Sequence, residues 1–185
     1  MVAQAWTRSV RIRTRLPTVQ GEYENYRTPE RRVPDRLLPH PWESCIMLGT
    51  DWYSSRPNTT YKMAGEVIRT LVTIAARGEI MLLGIGPDAH GDLIPEVYGR
   101  LTEIGDWLAV NGEALYGTRP VSRQERDSRF LTRSTTRPTM YVLLPLDRRH
   151  GERLGLPELD GRKVRAVRML GVSSGPGGAT KRTDQ

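Results

Sequence analysis

Two glutamates stand in sequence surroundings that suit proton transfer. Glu43 follows the aromatic Trp42 in a loop that begins at Pro41, and Glu30 ends the stretch Arg-Thr-Pro-Glu at residues 27–30. A carboxyl group becomes a general acid near neutral pH when an apolar neighbour such as Trp42 raises its pKa. On these residues alone, however, most such glutamates are solvated surface groups.

Metal and thiol chemistry find little support in the sequence. The chain has one cysteine and three histidines, which excludes a disulfide within the chain and a cysteine zinc cluster. We expect Cys45 to be a small buried apolar residue, because no paired base can be identified for it. The stretch 88–92 has too few acidic positions for an oxygen cage and is interpreted as a turn. No cofactor is expected.

The elements that must position these glutamates follow one another as helix, strand and helix. Apolar residues recur at helical spacing over residues 63–77, after capping candidates at residues 58–60 and before Gly78. The continuous apolar run 80–85 predicts a strand buried on both faces. A second helix is predicted over residues 95–111. This order is typical of an α/β fold.

The two ends of the chain differ from this middle part. Residues 1–40 are rich in arginine and proline and are interpreted mostly as loop, and residues 121–138 are polar. We predict a domain boundary near residue 120, a separate β domain after it, and a disordered tail at residues 173–185. The predicted strands outside the middle part are residues 10–12, 139–146 and 163–170.

Charge and hydropathy argue against two classes of partner. The net charge of +7 raises nucleic acid as a partner, but the basic residues are spread along the chain and no zinc-finger or RNP-like motif accompanies them. No apolar run approaches the roughly 20 residues that cross a bilayer, and no secretory signal is visible. We therefore expect neither a specific nucleic-acid partner nor a membrane, and leave the compartment open.

Three motifs stand in a fixed order along the chain. They are PWESC at residues 41–45, LLGIGP at 82–87 and IGDWLAVNGEALYGTRP at 104–120. Together they resemble glycoside hydrolase family 29, the α-L-fucosidases, and the resemblance covers roughly residues 10–120. The segments YVLLP at 141–145 and VRAVRMLG at 164–171 are similar, less specifically, to the start of the family's carboxy-terminal β-sandwich.

The resemblance implies an α/β fold, with a partial (β/α)8 barrel in residues 1–120 and the beginning of an antiparallel β-sandwich in residues 121–172. It also implies removal of terminal α-L-fucose from glycans or glycosides with retention, through a covalent fucosyl-enzyme. Retention needs a nucleophile and an acid/base about 5 to 5.5 Å apart. The family's nucleophile is an aspartate upstream of every motif matched here, so we expect this chain to lack it.

Site residues follow from the motifs. In part of the family the acid/base is the glutamate of the W-E-x-C motif, here Glu43; in other members it is a glutamate of a preceding T-P-E-like loop, here Glu30. We favour Glu43. The fucose-contacting arginine corresponds to Arg15, and the aromatic of the S-W-G-Y loop corresponds to Trp52. Trp42 is the third residue expected to contact the substrate.

The sequence also departs from the family motifs. Residues 78–87 lose both asparagines and one glycine of G-G-N-L-L-L-N-I-G-P, and Tyr53 replaces the glycine after Trp52. The Asn and Asp of the N-D-R segment that ends at Arg15 are absent as well. These losses weaken the expectation of full activity.

Taken together, the residues predict an α-L-fucosidase-like hydrolase of fucosylated substrates, in a truncated form that needs the missing barrel half or self-association. One alternative is a non-catalytic fucose-binding or structural remnant of the family, which would bind fucose after Glu43→Ala without hydrolysing it. Another is a basic DNA binder, whose association would depend steeply on salt and ignore fucose.

Overall fold

The computed structural model describes residues 27–35, 38, 41–51, 59–121, 130–144, 155–156 and 159–171. In these residues the chain forms β1 (Glu43–Met47), α1 (Ala64–Ala76), β2 (Ile80–Gly84), α2 (Pro95–Asn111), a 3₁₀ turn (Gly112–Ala114), β3 (Thr118–Pro120), β4 (Phe130–Ser134) and β5 (Met140–Leu143). Strands and helices alternate through the first half, and the fold is α/β as predicted.

A parallel pair of strands forms the centre of the first half. β1 and β2 pair in register from Glu43 opposite Ile80 to Met47 opposite Gly84. Helix α1 makes the crossover that two parallel strands require.

The segment before β1 extends this pairing on the other side. Arg27 and Glu30 form parallel bridges with Trp42 and Cys45. The Glu43 amide donates to the Arg27 carbonyl at 2.8 Å, and the Arg27 amide donates to Pro41 at 3.0 Å. Residues 27–30, β1 and β2 thus run side by side, and we call them the parallel ladder.

One side of the parallel ladder is covered by the two helices. Leu48, which directly follows β1, is completely buried in one cluster with Val67 of α1 and Val97 of α2. A second cluster joins Trp42 to Ile74 of α1. Full burial of a side chain of this size contributes about 1.5–3 kcal/mol, so these contacts hold the helices on the strands.

The other side of the parallel ladder is partly open, which corrects the prediction that residues 80–85 form a strand buried on both faces. Ile80 is 38% and Leu82 is 49% exposed. Successive side chains of a strand alternate between faces, and only one face meets α1 and α2. We call the second side the open face; it carries Glu43, Cys45 and Met47 of β1 and Ile80, Leu82 and Gly84 of β2.

Both long helices occupy the predicted positions, but α1 begins differently. Its N-cap is Met63 without a side-chain hydrogen bond, so neither Thr59 nor Thr60 has the predicted capping role, and residue 58 lies outside the described residues. Thr59 Oγ1 instead donates to Asp51 Oδ2 at 3.1 Å. Gly78 follows the helix with φ of 86°, the left-handed conformation that glycine provides at helix ends.

A second sheet follows α2. β3, β4 and β5 are antiparallel in that order, and β4 contacts α1. β5 confirms part of the strand predicted at 139–146, while β3 and β4 were not predicted because their sequence is polar. Two threonines explain the difference: Thr132 and Thr118 are buried and donate to the carbonyls of Ala114 at 2.6 Å and Leu115 at 2.8 Å.

The strand predicted at residues 163–170 is wrong. This segment is irregular, and Val167 and Met169 are 62% and 75% exposed. Its alternating pattern finds no partner strand among the described residues, and Arg168 forms an ion pair with Glu113 instead.

Some predictions lie outside the described residues: the strand at residues 10–12, the disordered tail at 173–185, and residues 145 and 146 of the strand predicted at 139–146. In the part of the chain that the structure describes, no helix is long and apolar enough to cross a membrane.

Replacing Gly78 by alanine should destabilise the protein by about 1–3 kcal/mol, since alanine is disfavoured at positive φ and its Cβ would lie 2.8 Å from Pro120 Cγ. Gly105→Ala is the matched control. A Cβ at this position meets nothing within 4 Å, and alanine in the interior of α2 should increase the free energy of unfolding by about 0.5–1 kcal/mol. Urea denaturation of both variants measures the difference, and equal effects would contradict the assigned role of Gly78.

Candidate active site

The two candidate glutamates lie on the same side of the parallel ladder. Glu30 pairs with Cys45 across the bridge, and Glu43 lies two residues before Cys45 on β1. Partners in parallel strands share a face, as do residues two apart on one strand. The open face therefore brings Glu30 and Glu43 to either side of Cys45.

The Cys45 thiol responds to both carboxylates. Partial burial raises the pKa of Cys45, and the negative charges of Glu30 and Glu43 raise it further. A thiol reacts as a nucleophile in its thiolate form, so Cys45 is poorly suited to covalent catalysis. It is partly rather than fully buried.

The two glutamates differ in their position along the strand direction. Glu43 is the first residue of β1, at the amino end. Glu30 lies beside Cys45, about 7 Å further toward the carboxyl end at the usual rise per residue. The extended segment stops directly after Glu30, because Arg31 has φ of 54°. Glu30 is exposed, whereas Glu43 is partly buried.

Trp42 is turned away from both glutamates. Its side chain is completely buried and packs with Ile46 and Ile74 on the helix side of β1. This burial corrects two expectations: Trp42 has no surface to offer a sugar, and it does not supply the apolar neighbour of Glu43.

Several polar side chains gather near the carboxyl end of β1 that the sequence did not single out. Lys62 Nζ donates to the Met47 carbonyl at 2.8 Å, and the Arg31 guanidinium donates to the Thr50 carbonyl at 3.3 Å. Lys62 is one of only three lysines in the chain, and this rarity was the sequence signal that could have drawn attention to it. These two cations lie beyond the carboxyl end of β1, where the carboxylate of Asp51 also accepts from Thr59.

Two predicted substrate contacts, Arg15 and Trp52, lie outside the described residues. The stretch 88–92 is a turn, as predicted: Asp88 Oδ1 accepts from the His90 amide at 2.8 Å and the Asp92 amide at 2.9 Å. Among the described residues, no group of three or more His, Cys, Asp or Glu could hold a metal ion.

Comparison with known proteins identifies the family. The model of the family described as alpha-L-fucosidase matches residues 2–113. The chain belongs to this family. The α-L-fucosidase of Dictyostelium discoideum is 37% identical over 114 residues, which are 60% of this chain and 25% of that protein. The chain spans about a quarter of the length of the curated relatives it matches.

Solved α-L-fucosidases agree in fold. Isoenzyme 1 of Paenibacillus thiaminolyticus matches with a TM-score of 0.56 and 28% identity, over 60% of this chain and 28% of that one. A family 29 enzyme of Bacteroides thetaiotaomicron matches with a TM-score of 0.52 and 27% identity, over 58% of this chain and 26% of that one. The latter is a covalent intermediate with 2-fluoro-fucosyl fluoride, trapped in a glutamate-to-glutamine mutant.

Two departures from the α-L-fucosidase motif acquire a structural explanation. Gly84 stands where the motif has its second asparagine, and it lies opposite Met47. A Cβ on Gly84 would overlap Met47 Sδ and lie 2.9 Å from its Cε. The thioether therefore fills the space that a side chain at position 84 would need.

Glu79, which replaces a glycine of the motif, connects the amino ends of the two strands. Its Oε2 accepts a hydrogen bond from the Trp42 amide at 2.9 Å. Burial raises the pKa of Glu79, although this hydrogen bond and the charge of Arg119 oppose the shift. The sequence signal was a charged residue directly before an apolar strand.

Glu79→Gln should change how stability depends on pH. The carboxyl pKa is raised above its ordinary 4.5 in the folded protein, so the native protein binds more protons and loses stability as pH rises from about 4.5 through the folded pKa. Glutamine still accepts from Trp42 but does not ionise. The unfolding free energy of the variant relative to the natural protein should therefore increase from about pH 4 to pH 7.

Glu79→Ala serves as the comparison, because it removes the acceptor and should cost about 1–3 kcal/mol even at low pH. Urea denaturation across this range gives both results. If the natural protein instead gained on the glutamine variant as pH rose, the attraction of Arg119 would outweigh burial.

Gly84→Asn should destabilise the protein by about 1–3 kcal/mol through overlap with Met47. Adding Met47→Ala should recover part of that loss, with a coupling energy of about 0.5–3 kcal/mol. A double-mutant cycle by thermal denaturation measures the coupling, and strict additivity would show that Met47 does not occupy this space.

Proposed function

We propose that this chain forms the acid/base part of a retaining α-L-fucosidase active site, acting on terminal α-L-fucose in glycans or glycosides. The observation that carries the proposal is the family match over residues 2–113, together with two motif glutamates on one face of the matched segment. Retaining glycosidases need such a carboxyl group opposite a nucleophile.

In this proposal the parallel ladder and its helices are consecutive parts of a (β/α)8 barrel, and β3, β4 and β5 begin a β-sandwich. The alternation of parallel strands with α1 and α2 supports the first assignment. The antiparallel order of the second sheet supports the other. Since β3 starts at Thr118, we place the proposed domain boundary a few residues before residue 120, toward the amino terminus.

We infer that Glu30 is the acid/base, in place of the Glu43 favoured from sequence. Catalytic groups of (β/α)8 barrels come from the carboxyl ends of strands. Glu30 ends its extended segment and is exposed, while Glu43 starts β1 and is partly buried. The neighbouring cations Arg31 and Lys62 suit the electron-rich hydroxyl oxygens of a sugar.

The proposed reaction divides between this chain and a nucleophile that precedes the matched motifs. The nucleophile attacks the anomeric carbon while Glu30 gives its proton to the departing glycosidic oxygen. Water then attacks the anomeric carbon and gives a proton to Glu30, which breaks the bond to the nucleophile and releases fucose. A Bacteroides relative whose covalent intermediate was trapped in a glutamate-to-glutamine mutant supports this division. Arg15 and Trp52 remain our proposed sugar contacts, Arg15 to the sugar hydroxyls and Trp52 to the apolar face and methyl group of fucose.

A chimera tests this function. Residues 2–113 of this chain would replace the matched segment of the Dictyostelium α-L-fucosidase, and release of 4-nitrophenol and of phenol from the corresponding α-L-fucosides would be measured. We expect the chimera to hydrolyse both. Glu30→Gln should lower the rate of phenyl fucoside hydrolysis about 10²- to 10⁴-fold. It should lower the rate of 4-nitrophenyl fucoside hydrolysis much less, because 4-nitrophenolate leaves without needing a proton.

Glu43→Gln is the matched control and should have the smaller effect. The reverse ranking would return the acid/base role to Glu43. A folded chimera that binds fucose but hydrolyses neither substrate would favour a non-catalytic remnant.

A further inference from the structure

We propose that a groove at the carboxyl end of α2 binds a glycan that carries anionic groups, at a site separate from the two candidate glutamates. The groove is lined by Ala109, Val110 and Glu113 and by residues 168–171, and we call it the Glu113 groove. Its occupant is a sugar chain with carboxylate or sulfate substituents. The proposal goes beyond the proposed function and does not depend on it.

The groove is formed by a close approach between residues 168–171 and α2. Gly171 has φ of 75°, and a Cβ at this position would lie 3.0 Å from Val110 Cγ1. The chain therefore passes directly against the last turn of α2, and the groove beside this contact has a volume of about 340 Å³. Small-molecule sites occupy roughly 300–1,000 Å³, so the groove suits a short stretch of glycan.

Two arginines meet one carboxylate at the groove. Arg168 forms an ion pair with Glu113, and Arg137 Nη2 lies 3.9 Å from Glu113 Oε2. Among these three side chains one positive charge has no negative counterpart. The Arg168 and Arg137 side chains are 66% and 60% exposed, so both guanidinium groups keep donors that an anionic group on a ligand can reach.

The segment that leads to the groove adds further positive charge. Arg162, Lys163 and Arg165 precede Arg168, and all four are exposed. Asp160 is the one acidic residue in the described segment that contains them. Seven residues extend over at most about 25 Å. A chain of several sugar rings can therefore contact these cations while one part of it occupies the groove.

Glu113 favours a glycan over a nucleic acid as the occupant. A carboxylate accepts hydrogen bonds from sugar hydroxyl groups, whereas it repels phosphate groups, and the backbone of DNA has no free hydroxyl along its length. Val110 and Met169 beside it are 46% and 75% exposed, and their aliphatic surface suits the C–H face of a sugar ring. The groove thus combines an acceptor, several donors and apolar surface.

Binding of four labelled oligomers to the full chain tests the site. They are a heparin fragment, a polygalacturonate fragment and single-stranded DNA, matched in number of charges, and a neutral dextran of similar length. Fluorescence anisotropy at about 0.1 M salt measures each affinity. We expect at least one acidic glycan to bind roughly tenfold more tightly than DNA, and dextran to bind more weakly than either acidic glycan. The two acidic probes show whether sulfate or carboxylate is preferred.

Arg168→Ala and Arg69→Ala form a matched pair, because each removes one exposed arginine and only Arg168 lines the groove. Arg168→Ala should weaken binding of the acidic glycan roughly tenfold. Arg69→Ala, on α1, should change it by less than about twofold. If Arg168→Ala alters the urea denaturation curve, Arg137→Ala takes its place with the same expectation.

Glu113→Gln distinguishes a glycan site from a general attraction of polyanions. Glutamine keeps the size of the side chain, but it carries no charge and accepts hydrogen bonds more weakly. We expect this variant to bind the acidic glycan about threefold to tenfold more weakly. It should bind DNA more tightly than the natural chain does, because a negative charge is removed.

Four results would overturn the proposal. One is that neither acidic glycan binds, and another is that DNA binds as tightly as both of them. The third is equal weakening by Arg168→Ala and Arg69→Ala, since total charge alone would then govern binding. The last is tighter binding of the acidic glycan by Glu113→Gln. Hydrolysis of fucosides plays no part in these measurements, so the groove and the proposed catalytic role can fail separately.

Discussion

The parallel register between β1 and β2 is the constraint on which the rest of the structure depends. Strand partners share a face, and a slip of one residue would exchange the two faces completely. With Glu43 opposite Ile80, Trp42 and Ile46 meet α1, and the carboxylates fall on the opposite side. The Glu79 hydrogen bond to the Trp42 amide supports this register at the amino end of the pair.

This register separates the stabilising residues from the candidate chemical ones. The helix side is closed by large apolar side chains, whereas the open face combines two glutamates, a protonated thiol and exposed Ile80 and Leu82. The helix-packed core and the candidate glutamates therefore lie on different faces of the same strands. The family's sequence motif W-E-x-C contains both, since Trp42 serves the core and Cys45 lies on the open face.

The sequence predicted secondary structure well where apolar periodicity is strong, and less well where a single buried threonine determines the position of a strand. Helices α1 and α2 followed from apolar spacing and from Pro95. The strand β4 escaped prediction because Thr132 is polar in sequence yet buried through a hydrogen bond to a distant carbonyl. The positions of Glu30 and Glu43 along the strand direction depend on the bridge between Glu30 and Cys45. This pairing joins separate segments and cannot be read from a local sequence pattern. Residue types thus suggested the glutamates, and only pairing distinguished them.

The contact between Met47 and Gly84 has a consequence for how this sequence arose. Methionine at position 47, oriented as here, and any side chain at position 84 exclude one another. A path from the family's asparagine to the present pair is therefore easier when glycine comes first and the thioether then fills the vacated space. The opposite order passes through an overpacked intermediate. Substitutions at positions 47 and 84 should accordingly covary among close relatives.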